Sequence, residues 1–170
     1  MPLPQTQDDW IRVFVGDLVT EPADAVVRPA DADLGPAEPS ATRLDEAGGE
    51  AFALLRQNST RLEAGAAVVT GGGSLPAPFV LHVVISDPAR KVGRELLRKA
   101  LVSAWQRAGD WGLAVIATPP VGVGGGQLTL QESATLLAET FPKDGESRLH
   151  IVVASDADLA VVETIVRRMM

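Results

Sequence analysis

At 170 residues the chain has the length of one domain, and its 46% apolar and 22% charged content argue against wholesale disorder. A net charge of -7 argues against a broad electrostatic footprint on DNA or RNA, which needs Lys and Arg to neutralise phosphates. With no cysteine there is no disulfide framework, thiolate nucleophile or cysteine-ligated metal, and no apolar run approaches the roughly 20 residues of a bilayer span.

Residues 1–10 carry no basic patch followed by an apolar stretch and are read as an N-terminal extension, so the cytoplasm is the expected compartment. Residues 11–170 are read as a single domain. Apolar runs of strand length follow at 11–15, 25–27, 66–70, 79–85, 113–117 and 151–154, and helical patterns at 42–57, 92–107, 130–141 and 156–168. The strand runs are mostly continuous in Val, Ile, Leu and Ala, which suits strands covered on both faces. Their alternation with helices predicts a three-layer α/β/α sandwich around a mixed, largely parallel sheet. The segment 31–40, with Pro36 and Pro39, is read as a loop. The last helix has Ser155 ahead of Asp158 in a capping-box-like spacing, and Arg167 with Arg168 at its negative end.

The most distinctive local feature is Val115-Ile-Ala-Thr-Pro-Pro-Val-Gly-Val-Gly-Gly-Gly126, followed by Thr129-Leu-Gln-Glu132: a strand, a glycine loop and a capped helix. Glycines permit positive φ and close backbone approach, and successive free amides ahead of a helix hold phosphate oxygens without any Lys. The run is neither a Walker loop nor a Gly-x-Gly-x-x-Gly fingerprint. Its bland alternative is a flexible surface connection. Glu132 also places a carboxylate where a phosphate would sit. Asp17, at the end of the first strand, is either a turn residue or an acceptor for an exocyclic amine such as that of adenine. The run at 70–76 reads as a glycine turn. His82 and His150 read as hydrogen-bonded strand residues, and no spacing of His, Asp or Glu marks a metal centre. Arg90, Lys91, Arg94, Arg98 and Lys99 make one helix locally basic, as a solvated face does.

Taken in order, these segments resemble the macrodomain family, α/β/α modules that bind ADP-ribose and related NAD metabolites. The resemblance covers residues 11–141. Ile11-Arg-Val-Phe-Val-Gly-Asp-Leu-Val-Thr20 resembles the family's first strand and Gly-Asp turn, and Ala23-Asp-Ala-Val-Val27 its second strand. Ala66-Ala-Val-Val-Thr-Gly-Gly-Gly-Ser-Leu-Pro-Ala-Pro-Phe-Val-Leu-His82 is similar to the stretch that ends Leu-Pro-x-x-Tyr-Val-Ile-His, and Val121-Gly-Val-Gly-Gly-Gly126 stands in the place of the phosphate loop.

The resemblance implies a module binding ADP-ribose or a related NAD-derived nucleotide, free or on an ADP-ribosylated protein, with no cofactor and no metal. The implied ligand residues are Asp17, Leu18, Asp31, Val121, Gly122, Val123, Gly124, Gly125 and Gly126. The chain departs from the family at Arg28-Pro-Ala-Asp31, where Asn-Ala-Ala-Asn is usual, and at residues 34–42, where hydrolytic members carry a triple-glycine loop. Pro36 and Pro39 there remove two backbone donors. The usual second-loop aromatic is also missing, with Leu128 the nearest large side chain. Two alternatives stay open. One is a hydrolase of ADP-ribose linkages in which Asp31 or Glu38 positions a water. The other is an interaction module without nucleotide binding, in which Arg28 or the prolines fill the cleft between Asp17 and Gly124.

Overall fold

Six strands and four helices build the fold in a computed structural model that describes residues 9–57, 60–89 and 91–170. In chain order they are β1 (Ile11–Val15), β2 (Ala25–Asp31), α1 (Pro39–Gln57), β3 (Ala67–Gly71), β4 (Phe79–Ser86), α2 (Arg94–Trp111), β5 (Val115–Thr118), α3 (Leu130–Thr140), β6 (Arg148–Val153) and α4 (Asp156–Met169). The strands form one sheet in the order β1-β6-β5-β2-β4-β3. Every pairing is parallel except that of β3 with β4, so the sheet is mixed and largely parallel. No helix among the described residues is long and apolar enough to cross a membrane. Of the expected extension, residues 1–8 lie outside the described residues, while Trp10 packs against the main core.

Side chains alternate across each strand, and this alternation divides the interior in two. One face carries Val13, Val27, Leu81, Val83, Ile116 and Ile151, packed against Leu97, Leu101, Leu137 and Val162 of α2, α3 and α4. The opposite face carries Val26 and Val80, packed against Leu44 and Phe52 of α1 and against Leu75 of the β3–β4 turn. Residues in step with Val26 and Val80 therefore point toward α1, and these include Arg28 and His82.

Two departures from the expected element bounds shape the site. β2 continues through Arg28 and Pro29 to Asp31, where expectation ended it at Val27. Proline is tolerated because β5 pairs only with Ala25 and Val26, so Pro29 stands beyond the end of that neighbour. Its carbonyl takes the Ala37 amide at 3.1 Å, and its missing N–H faces that same loop, away from β4. α1 begins at Pro39, inside the segment expected to be a loop. Proline at a first helical position loses no intrahelical bond, and the Glu38 carbonyl accepts the Ala41 amide at 3.0 Å.

α1 is interrupted at Gly49, whose φ of 67° and ψ of -162° are outside helical values. The interruption frees the Gly48 carbonyl to accept the Ser74 amide at 3.1 Å. The 70–76 run is accordingly a structural turn wedged against α1.

Candidate functional site

The carboxyl ends of β1, β2, β5 and β6 open on one edge of the sheet, where ligands gather in open α/β folds because connecting loops diverge there. They enclose a cleft of about 570 Å³. Gly16, Asp17 and Leu18 line it after β1, and Glu38, Pro39, Ser40 and Arg43 after β2. Pro119, Pro120, Val123 and Gly124 line it after β5, with Leu130 of α3, Val152 to Ala154, and Asp158 of α4 completing the wall.

The glycine loop is a compact turn. Gly122 and Gly126 adopt φ of 92° and 74°, which side chains other than glycine rarely occupy. The loop folds on itself: Val123 donates its amide to the Pro120 carbonyl, Gly126 to that of Val123, and both Gln127 and Leu128 to that of Gly122. Val121 is buried and accepts the Ser133 hydroxyl at 2.7 Å, anchoring the loop to α3. Leu128 packs beneath Gly122, where a Cβ would come within 2.8 Å of it, so it props the loop from below. Thr129 and Glu132 form a reciprocal capping box at the start of α3, and Glu132 pairs outward with Arg94.

The Glu38 carboxylate enters this loop. Its Oε2 accepts the Gly122 amide at 2.8 Å, and the Gly125 amide lies close enough to favour the charged carboxylate. The residue is 5% exposed. Burial pushes its pKa up to about 7, against the opposing pull of the two amides. Glu38 and Pro39 are seated so closely that a Cβ on Gly124 would lie 3.1 Å from the Pro39 ring and 3.3 Å from Glu38 Cβ.

On the other side of the cleft, the Asp17 carboxylate accepts the Val19 amide at 3.0 Å and pairs with the Arg43 guanidinium. Hydrogen bonding to Arg43 first, and to the Val19 amide second, holds it below the usual carboxylate range. Arg43 has 61% of its side chain exposed, so one Asp17 partner is free to swing into solvent. Leu18 lines the cleft beside it.

Other expected site residues lie elsewhere. Asp31 is absent from the cleft wall: its Oδ1 accepts the amides of Asp33 and Gly35 at 2.9 and 2.8 Å, closing the turn after β2. Arg28 points away from the cleft, into the layer between the sheet and α1, where it is fully buried. It makes a two-pronged pair with Asp45 at 2.7 and 2.9 Å and reaches His82 Nδ1 at 3.2 Å. Thr70 donates its hydroxyl hydrogen to the Gly71 carbonyl, so it accepts from His82 Nε2 at 2.8 Å. That fixes His82 as the neutral Nε2-protonated tautomer. Burial first, then the nearby charges of Arg28 and Arg56, lower its pKa to about 3.

Gly125 and Gly126 sit on the outer rim of the loop, and Gly126 borders a second hollow with Lys91, Arg94 and Gln127. Arg43, Ser40, Asp158 and the β6 end escaped the sequence reading. The signal that finds them is positional, since each follows the carboxyl end of a parallel strand. Among the described residues no three His, Cys, Asp or Glu side chains are grouped to hold a metal.

This sheet order, these four helices and the glycine loop after β5 define an α/β/α module of the macrodomain type. The Macro domain family model matches residues 27–137, and the chain belongs to that family. An uncharacterised protein of Aeropyrum pernix is 34% identical over 75% of this chain and 68% of its own length. A macro domain-containing protein of Caldanaerobacter subterraneus is 28% identical over 86% of this chain and 79% of its own. Uncharacterised proteins of Mycobacterium bovis and M. tuberculosis match over only about a third of their own length. Among solved structures, a mutant of the Oceanobacillus iheyensis macrodomain with ADPR superposes with a TM-score of 0.74 at 20% identity, covering 98% of this chain and 96% of that one. The Trypanosoma brucei macrodomain in complex with ADP gives 0.80 at 22%, covering 92% and 68%.

Proposed function

We propose that this chain is a nucleotide-binding module that takes the adenine-nucleoside end of ADP-ribose, or of a related NAD-derived nucleotide, in the cleft between Asp17 and the glycine loop. One observation carries the reading: the two features singled out by residue type, Asp17 after β1 and Val123–Gly124 after β5, face a common cleft of about 570 Å³. Leu18, Val123, Leu130 and Val152 give it apolar walls for a base and ribose, and Asp17 supplies the acceptor for an exocyclic amine. The ADP- and ADPR-bound macrodomains of similar fold support the ligand class.

Isothermal titration with ADP-ribose tests this. Heat saturating at one ligand per chain is expected, and its absence at about millimolar ligand overturns the reading. Asp17→Ala is expected to weaken binding by roughly tenfold to a hundredfold, the worth of one hydrogen bond to a charged acceptor.

The module reads as non-catalytic because both carboxylates near the rebuilt loop hold backbone amides of the protein itself. Asp31 is committed to its own turn and Glu38 to the glycine loop. Release of product from an ADP-ribosylated protein or from O-acetyl-ADP-ribose would reverse that assignment. A second reading, an interaction module without nucleotide, draws on the same seating of Glu38 and Pro39 against Gly124. A ligand-free titration result together with an unaltered fold in Asp17→Ala would favour it.

A further inference from the structure

The glycine loop owes its anion-binding character to amides that point at a common spot. In this chain the spot is taken. Glu38 accepts the Gly122 amide at 2.8 Å, while the amides of Val123, Gly126, Gln127 and Leu128 are spent within the loop. Among the described residues, Gly124 and Gly125 of the loop keep amides with no backbone partner, and Pro36 and Pro39 opposite have none to offer.

We propose that Glu38 is a built-in competitor for the phosphate-binding amides and so determines ligand specificity: the cleft accepts an uncharged adenine nucleoside with Glu38 in place, and accepts a diphosphate only when Glu38 gives up the Gly122 amide or its negative charge. The inference rests on the nucleotide reading above and assigns it a ligand class. Two anions cannot share the buried Gly122 amide, since each needs the same donor and repels the other at close range. The cations nearby are otherwise placed: Lys91 and Arg94 stand in the hollow on the far rim of the loop, with Arg94 paired to Glu132. Arg43 on α1 is engaged by Asp17, the other charges at the cleft and its neighbouring hollow are Glu46 on α1 and Asp158 on α4, both acidic, and the loop itself carries no charge. A diphosphate therefore meets its best partner when Glu38 is protonated, and its apparent affinity scales with the protonated fraction.

The test is calorimetric titration of adenosine and ADP-ribose into the full chain and into Glu38→Gln, at about pH 6 and about pH 8. ADP-ribose is the suitable diphosphate because each of its phosphates carries one ester and one anhydride link, leaving only a strongly acidic hydroxyl that does not titrate in this range. In the native chain ADP-ribose is expected to bind about tenfold more weakly at the higher pH, with adenosine unaffected. Glu38→Gln is expected to remove that pH dependence and to bind ADP-ribose at least about tenfold more tightly than the native chain at pH 8. Equal ADP-ribose affinity at both pH values, or no gain in a folded Glu38→Gln, overturns the competitor role and leaves the nucleotide reading standing. Failure of both ligands to bind either protein at either pH overturns both. Should the variant fail to fold, the pH comparison in the native chain decides.

Discussion

Glu38 and His82 are both buried, and burial moves each toward its neutral form, with opposite consequences for stability. Glu38 has its pKa raised from 4.5 to about 7. The folded state holds that proton more tightly than the unfolded one, so the associated stability is fully present below pH 4.5 and is lost as pH rises through 7. Glu38→Gln, which keeps an acceptor for the Gly122 amide without the charge, is expected to raise stability at about pH 8 by up to roughly 3 kcal/mol and to change little at about pH 4. Urea unfolding at the two pH values measures the difference. His82, lowered from 6.5 to about 3, behaves in the reverse sense: its contribution is present above 6.5 and lost as pH falls toward 3. Its imidazole signal in NMR should stay flat between about pH 5 and 8, and a sigmoid with its midpoint in that range would contradict the buried neutral tautomer. Arg28, beside it, is the residue whose place the sequence hid most completely. Its type suggested a cleft-filling cation, but β-strand alternation turns it toward α1, where Asp45 and His82 receive it. Arg28→Met is expected to cost about 3 kcal/mol through the half-stranded Asp45, and Arg28→Lys to recover little because an ammonium cannot make the two-pronged contact.

At the scale of elements, the helix boundaries follow from local chemistry wherever a cap is present. Thr129 and Glu132 fix the start of α3, and Ser155 accepting the Asp158 amide fixes that of α4, both legible as residue spacings. Thr129→Ala should cost about 1 kcal/mol, read as a drop in melting temperature. α1 obeys no such signal. It starts on a proline in a stretch whose composition says loop, and breaks at Gly49 because the β3–β4 turn needs the Gly48 carbonyl. The fit there is tight: Gly73 has φ of 61°, and a Cβ on it would lie 2.4 Å from the Phe52 amide nitrogen. Gly73→Ala is therefore expected to destabilise by more than about 2 kcal/mol, since backbone and not a flexible side chain has to yield.

At the scale of the whole molecule, the function proposed for the cleft predicts that ADP-ribose stabilises the fold. At about a hundredfold over its dissociation constant the gain is roughly 2.7 kcal/mol, visible as a rise in melting temperature that Asp17→Ala reduces at the same concentration to between about 0.4 and about 1.4 kcal/mol. The layered α/β/α architecture, with its six strands and four helices, was legible in the amino-acid order. Each rests on interactions a few residues apart: apolar runs, caps and turn glycines. What the tertiary structure alone decided was direction and occupancy. Asp31 closes its own turn, Arg28 faces α1, and Glu38, 84 residues before Gly122 in the chain, accepts the amide of that glycine. Such contacts depend on how strands register and which way a side chain faces across the sheet, and residue type carries no record of either until the chain has packed.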